Sequence, residues 1–325
     1  MSANPDTLPE PADVRPPRAE RGRRGEPRRS TRIEVNGWIN LDKPVGVTST
    51  QAVGELKFLF NAKKAGHAGT LDPLASGVLP VAFGEATKTV PVVQDGQKTY
   101  RFTVKWGAET DTDDAEGRVV VASEVRPSAA EIVAILPSFL GVILQTPPMY
   151  SAIKIAGERA YDLARDGQQF EIAPREIIVH RLDLIASEGD ESVFEAECGK
   201  GAYVRALARD FGRALGCFGH VTALRRTRVG SFFADRGVTL EALRDSPETR
   251  GASMLSVEAG LSELARVAID RTGAATLRRG QKLLLRGSAA PDEGPAYTVC
   301  LGTPVAVGVV EEGYFVSTRV FNLGG

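Results

Sequence analysis

The sequence predicts an α+β protein: a main domain over 34–258 on a mixed, largely antiparallel sheet, then a small β-rich domain over 264–325. Two observations carry this expectation. Alternating apolar stretches and helix-spaced ones are mixed along the main part of the chain, without the regular strand-helix alternation of a doubly wound sheet. Beyond a polar stretch at 245–251 only short β patterns follow, at 283–285, 298–301, 305–310 and 315–320. A length of 325 residues suits one large domain plus a smaller one.

Residues 1–33 hold eight Arg, five acids and six Pro with almost no large apolar side chains, so they are expected to form a disordered arm. Structure is expected to begin with a short strand at 36–44. Thr48 and Gln51 have capping-box spacing, and Ala52, Leu56, Leu59 and Phe60 recur at helical intervals, predicting a helix that ends near Asn61. Phe102, Val104 and Trp106 alternate with Arg101, Thr103 and Lys105, and Val119 to Ala122 supplies a further strand. Phe194, Ala196 and Cys198 mark another strand. Val204, Leu207, Ala208, Phe211 and Leu215 then define a helix stopped by Gly216.

Forty basic and 41 acidic residues give a net charge of −1, so any nucleic-acid binding needs local basic patches. Leu224-Arg225-Arg226-Thr227-Arg228 is one such patch, and Lys154, Arg159 and Arg165 form another. No apolar run approaches the ~20 residues of a membrane span, and a cytoplasmic protein is expected. Cys198, Cys217 and Cys300, like His67, His180 and His220, are too scattered for a metal site, so neither metal nor cofactor is expected.

The most informative stretch is Gly66-His67-Ala68-Gly69-Thr70-Leu71-Asp72-Pro73-Leu74-Ala75-Ser76-Gly77-Val78-Leu79, one carboxylate in a run punctuated by glycine. Asp72-Pro73 alone could be a helix cap followed by a first-turn proline. Clustered glycines suggest instead a backbone that turns sharply or lets something approach. Phosphate-binding and dinucleotide-binding glycine patterns are absent, and no second acid stands nearby for paired-carboxylate glycosidase chemistry. An acid acting without a cofactor remains.

This run resembles the signature of the bacterial tRNA pseudouridine-55 synthases, the TruB family. Leu41-Asp42-Lys43-Pro44, Lys98-Thr99-Tyr100-Arg101 with Thr110-Asp111-Thr112-Asp113-Asp114, Pro147-Pro148-Met149-Tyr150-Ser151-Ala152-Ile153-Lys154 and Gly199-Lys200-Gly201-Ala202-Tyr203-Val204-Arg205 match further family motifs in order. The resemblance implies a catalytic domain of the pseudouridine-synthase type, a thumb-like insertion at about 146–175 and a PUA-like C-terminal module. It implies isomerisation of a uridine in the T loop of tRNA, with no cofactor and no obligate protein partner, by a monomer. A guide-RNA-dependent relative, and an RNA-binding protein with a vestigial site, are the competing readings.

By the same resemblance Asp72 is the catalytic nucleophile or base, Tyr100 stacks on the flipped uracil and Arg205 pairs with the acid. His67, Tyr203, Leu224, Lys43, Asp114 and Lys154 are the expected substrate-binding residues. Arg205 carries an independent physical argument. A cation in the first turn of a helix is disfavoured by ~0.3–1 kcal/mol, so a compensating anion is expected beside it, with Asp72 the obvious candidate. Arg209 and Arg213 continue its i, i+4 row and are expected to form a solvated stripe.

Overall fold

A ten-stranded sheet organises the protein, and the computed structural model describes residues 32–151, 153–155, 158–165, 170–285 and 291–323. The arm expected over 1–33 falls almost wholly outside these residues. Eight strands form the sheet in the order Val238–Thr239, Gly37–Lys43, Ala75–Phe83, Gly219–Val229, Lys98–Trp106, Glu191–Cys198, Arg175–Glu188 and Gly141–Gln145. Ala65–His67 and Phe232–Phe233 pair off this path. Two neighbour pairs are parallel and the rest antiparallel.

The alternating stretches become half-buried strands. Phe102, Val104 and Trp106 face inward beside Phe194, Ala196 and Cys198, and every fully buried aromatic among them contributes about 1.5–3 kcal/mol by leaving water. The helix Ser49–Leu59 starts with the expected reciprocal cap between Thr48 and Gln51, and Ala52 and Leu56 pack on this face. The helix Val204–Ala214 covers it with Leu207, Ala208 and Phe211, and Gly216 turns away at φ 66°. Val119–Ala122 is a strand as expected, but it lies outside the main sheet. It joins Ala108–Thr110 in a separate exposed ribbon, because three of its four residues face solvent and have no core to cover.

The other face of the sheet is closed by a second core that joins Trp38, Val78, Ala82, Val229 and Phe232 to Val257 and Leu261, and to Tyr297, Val299, Val307 and Phe321. Those last four belong to the C-terminal β-rich part, a five-stranded sheet ordered Ala265–Ala268, Gly294–Cys300, Thr303–Glu311, Tyr314–Val320 and Leu283–Leu284. Its first strand and the helix Arg271–Arg278 were not visible in the sequence pattern. Lys88 donates to the Val320 carbonyl at 2.9 Å, and the Asn322 amide donates to Glu85 at 2.5 Å. The C-terminal sheet thus shares a core with the main one.

One transverse row of the main sheet concerns the site. Lys43 stands opposite Gly77, Gly77 opposite Arg226, and Arg226 opposite Tyr100. Paired residues project to the same face of a sheet, so this row shares the face that carries Leu41, Leu79 and Phe102.

Candidate active site

Asp72 sits on neither a helix nor a strand. Residues 68–74 form a loop between the strands Ala65–His67 and Ala75–Phe83, so the Asp72-Pro73 pair begins a turn and no helix follows it. Backbone bonds hold this loop at nearly every position. Ala68 donates to the Pro80 carbonyl at 2.9 Å, and Gly46 donates to that of Pro73 at 2.8 Å. The buried Ser49 hydroxyl accepts from the Leu71 amide at 2.8 Å and donates to the Leu71 carbonyl at 3.0 Å. Arg226 donates to Gly69 at 3.0 Å and Thr70 at 3.3 Å.

Backbone geometry requires glycine at two positions of the motif. Gly69 turns the loop at φ 99°. Gly77 lies at φ 101°, and a Cβ there would stand 2.1 Å from the Arg226 carbonyl oxygen, so only glycine lets the two strands approach.

The Asp72 side chain is 36% exposed, and its Oδ2 lies 2.9 Å from Nε of Arg205, which is 6% exposed. The anion expected for a first-turn arginine is therefore Asp72. The rest of the guanidinium is also engaged. Nη1 donates to the Thr112 carbonyl at 2.8 Å and lies 3.5 Å from Asp114, while Nη2 donates to the Tyr150 carbonyl at 2.9 Å. A single planar fork thus links the acid, the 112–114 loop and the root of the 146–175 segment.

The same helix face continues the arrangement one turn at a time. Arg209, buried, pairs with Asp113 at 2.9 Å and donates to the Thr146 carbonyl at 2.7 Å; Arg213, half-exposed, pairs with Glu109 at 2.5 Å. The row Arg205, Arg209 and Arg213 meets a ladder of acids and is not a solvated stripe. Asp113 adopts φ 61°, and burial pushes its carboxyl up to about 6, against the pull of Arg209 and Arg205.

Tyr100 is half-buried in the sheet row, and burial raises its phenol above the ordinary value while the adjacent Arg226 cation pulls it down. Tyr203 precedes the helix, its amide and carbonyl both held by the buried Gln145 amide at 2.9 and 3.1 Å. Burial raises its phenol as well. His67 is half-buried, and burial followed by the Arg226 charge lowers its imidazole, favouring the neutral ring. Leu224 is buried opposite Ala75 and Phe102. Asp114, also buried, accepts from the Thr112 hydroxyl at 2.6 Å and the Glu116 amide at 3.0 Å.

Lys43 has 0% exposure and donates to the carbonyls of Pro44 and Val47 at 2.9 and 2.8 Å. Its amine is pushed down to about 8 by burial, with the Asp72 charge opposing. It reaches the site by holding the turn whose Gly46 amide grips Pro73, and has no surface to offer a substrate in this conformation. Lys154 lies on the short strand Lys154–Ile155, and its side chain falls outside the described residues, as do those of Arg159 and Arg165.

The proposed basic patch at 224–228 does not exist as a free surface. Arg225 forms a two-pronged pair with Asp42 at 2.9 and 2.8 Å, Arg226 is 2% exposed, and Arg228 donates to the Gly230 carbonyl at 2.8 Å. Strand alternation sends Arg225 and Arg226 to opposite faces, which a run of basic letters does not reveal.

A family model described as the N-terminal domain of TruB family pseudouridylate synthase matches residues 57–204, and one for the tRNA pseudouridylate synthase B C-terminal domain matches 205–262. A tRNA pseudouridine synthase B of Bradyrhizobium diazoefficiens is 55% identical, covering 100% of this chain and 97% of its own length. The protein of that name from Rhodopseudomonas palustris is 56% identical over 97% of this chain and 89% of its own. Among solved structures, a Cbf5-Nop10-Gar1 complex aligns with a TM-score of 0.68 and 27% identity, covering 88% of this chain and 84% of the other.

Proposed function

The chain belongs to the TruB family of pseudouridylate synthases and isomerises uridine to pseudouridine in tRNA; we propose that the target is uridine 55 of the T loop and that Asp72 carries the chemistry. The observation that bears most weight is the partly exposed Asp72 carboxylate held 2.9 Å from the buried Arg205 on a loop braced from three sides. Isomerisation breaks the N1–C1′ bond, turns the detached uracil and joins C5 to C1′; the C5 proton is lost and N1 gains one. Nothing else is exchanged, so one acid suffices.

A uridine inside a folded loop must leave its stack before a carboxylate can reach its ribose. Tyr100, fixed in the sheet row opposite Arg226, offers the extruded uracil a ring to stack on. Asp72 then either attacks C1′ to give a ribosyl ester or removes the 2′ proton to give a glycal-like intermediate. Arg205 orients the acid for both routes. His67 and Tyr203 border the same loop and contact the distorted T loop in this reading.

The test uses unmodified tRNA transcript tritiated at C5 of uridine. Release by the wild-type protein, lost when position 55 is cytidine and lost in Asp72→Asn with tRNA affinity retained, is the expected result. Release at wild-type rate from Asp72→Asn overturns the role of the acid, and release from the cytidine-55 transcript overturns the target.

A further inference from the structure

We infer that Arg226 is a positioning residue for this isomerisation: its guanidinium fixes the backbone of the loop that presents Asp72, relative to the strand that carries Tyr100. The inference rests on the function proposed above. Arg226 projects from the strand Gly219–Val229 opposite Tyr100 on one side and Gly77 on the other. Its Nε donates to the Val78 carbonyl at 2.8 Å, Nη2 to Gly69 at 3.0 Å and Nη1 to Thr70 at 3.3 Å. Those acceptors lie on the loop just before Asp72 and on the strand just after it, so one rigid fork spans both flanks of the acid.

Its hydrogen-bond partners are three backbone carbonyls and the Tyr100 phenol, and none is a carboxylate, which is unusual for a cation at 2% exposure. The charge is felt by the groups around it: it depresses His67 and Lys43 and acts against the burial of Tyr100. Three acceptors spread over a loop and a strand match the planar geometry of arginine, and the single ammonium of lysine cannot span them. Arg226 has almost no surface for RNA, so its removal should affect the placement of reacting groups and not tRNA affinity.

The experiment measures single-turnover tritium release and tRNA dissociation constants for Arg226→Gln and Arg226→Lys, with rates normalised to the fraction of protein that binds tRNA. Wild type, Asp72→Asn and Arg225→Gln are run beside them, the last altering the outward-facing pair with Asp42. A loss of about 100-fold in rate is expected for Arg226→Gln and at least tenfold for Arg226→Lys, because small misplacements of a reacting group cost about this much. The dissociation constant should stay within about threefold, and Arg225→Gln should react like wild type. Lysine restoring the full rate, or a loss that vanishes on normalisation, overturns the inference; if glutamine fails to fold, the lysine variant alone decides. An inactive wild type would sink the proposed function, whereas active wild type, inactive Asp72→Asn and fully active Arg226 variants sink only this inference.

Discussion

The helix Val204–Ala214 and the strand Gly219–Val229 lie close in sequence and each carries three arginines, yet they use them in opposite ways. Helical spacing puts Arg205, Arg209 and Arg213 on one face, where each meets an acid of the 109–114 segment or Asp72. Strand alternation separates Arg225 from Arg226, giving one to Asp42 on the outside and the other to backbone carbonyls beneath the site. Charge pairing ties loops to the helix, at a cost when either partner is lost. Carbonyl binding places the loop and leaves a positive charge within the site.

The sharpest way to break the comparison is at its catalytic end. Arg205→Met should lower single-turnover release by about 1,000-fold, roughly 4 kcal/mol, since it removes the cation beside Asp72 and frees both attached loops. Retention of more than a tenth of the rate would show that the ladder is structural only. Arg209→Met comes next and reads out in stability. Leaving Asp113 buried without its partner should cost about 3 kcal/mol in denaturant unfolding at pH 8, and less at pH 5, where the acid can take a proton.

The smallest effect is the pH dependence of Asp113 itself. Its folded value of about 6 lies above the ordinary 3.8, so the folded protein holds a proton that the unfolded chain releases between these values. The residue's contribution to stability is therefore fully present below pH 3.8 and is lost as pH rises through about 6, with about 2 kcal/mol of the loss falling between pH 4 and pH 6. Asp113→Asn should remove that slope from unfolding curves measured between pH 4 and 7. An unchanged slope would assign it to other groups.

Much of this could be read from the letters. The alternation at Phe102 and Phe194, the cap at Thr48 and the need for an anion at Arg205 are local signals, and each led to the element or pairing observed. Arg226 shares strand parity with the buried Leu224, but the run of basic letters around it hides the alternation, and a cation held by carbonyls has no charged partner to betray it. Lys43 hides in the same way. The strand Ala265–Ala268 is too short to alternate visibly, and the helix Arg271–Arg278 buries little beyond Gly273, Ala274 and Leu277.

The row from Lys43 through Gly77 and Arg226 to Tyr100 makes strand alignment a determinant of activity in its own right. Inserting or deleting a single residue in any of these four strands would turn its contribution to the opposite side of the sheet, even with every catalytic side chain retained. A change of length in these strands upstream of the row is therefore expected to cost activity unless a bulge absorbs it, as the strand Gly219–Val229 does near Thr222 and Thr227.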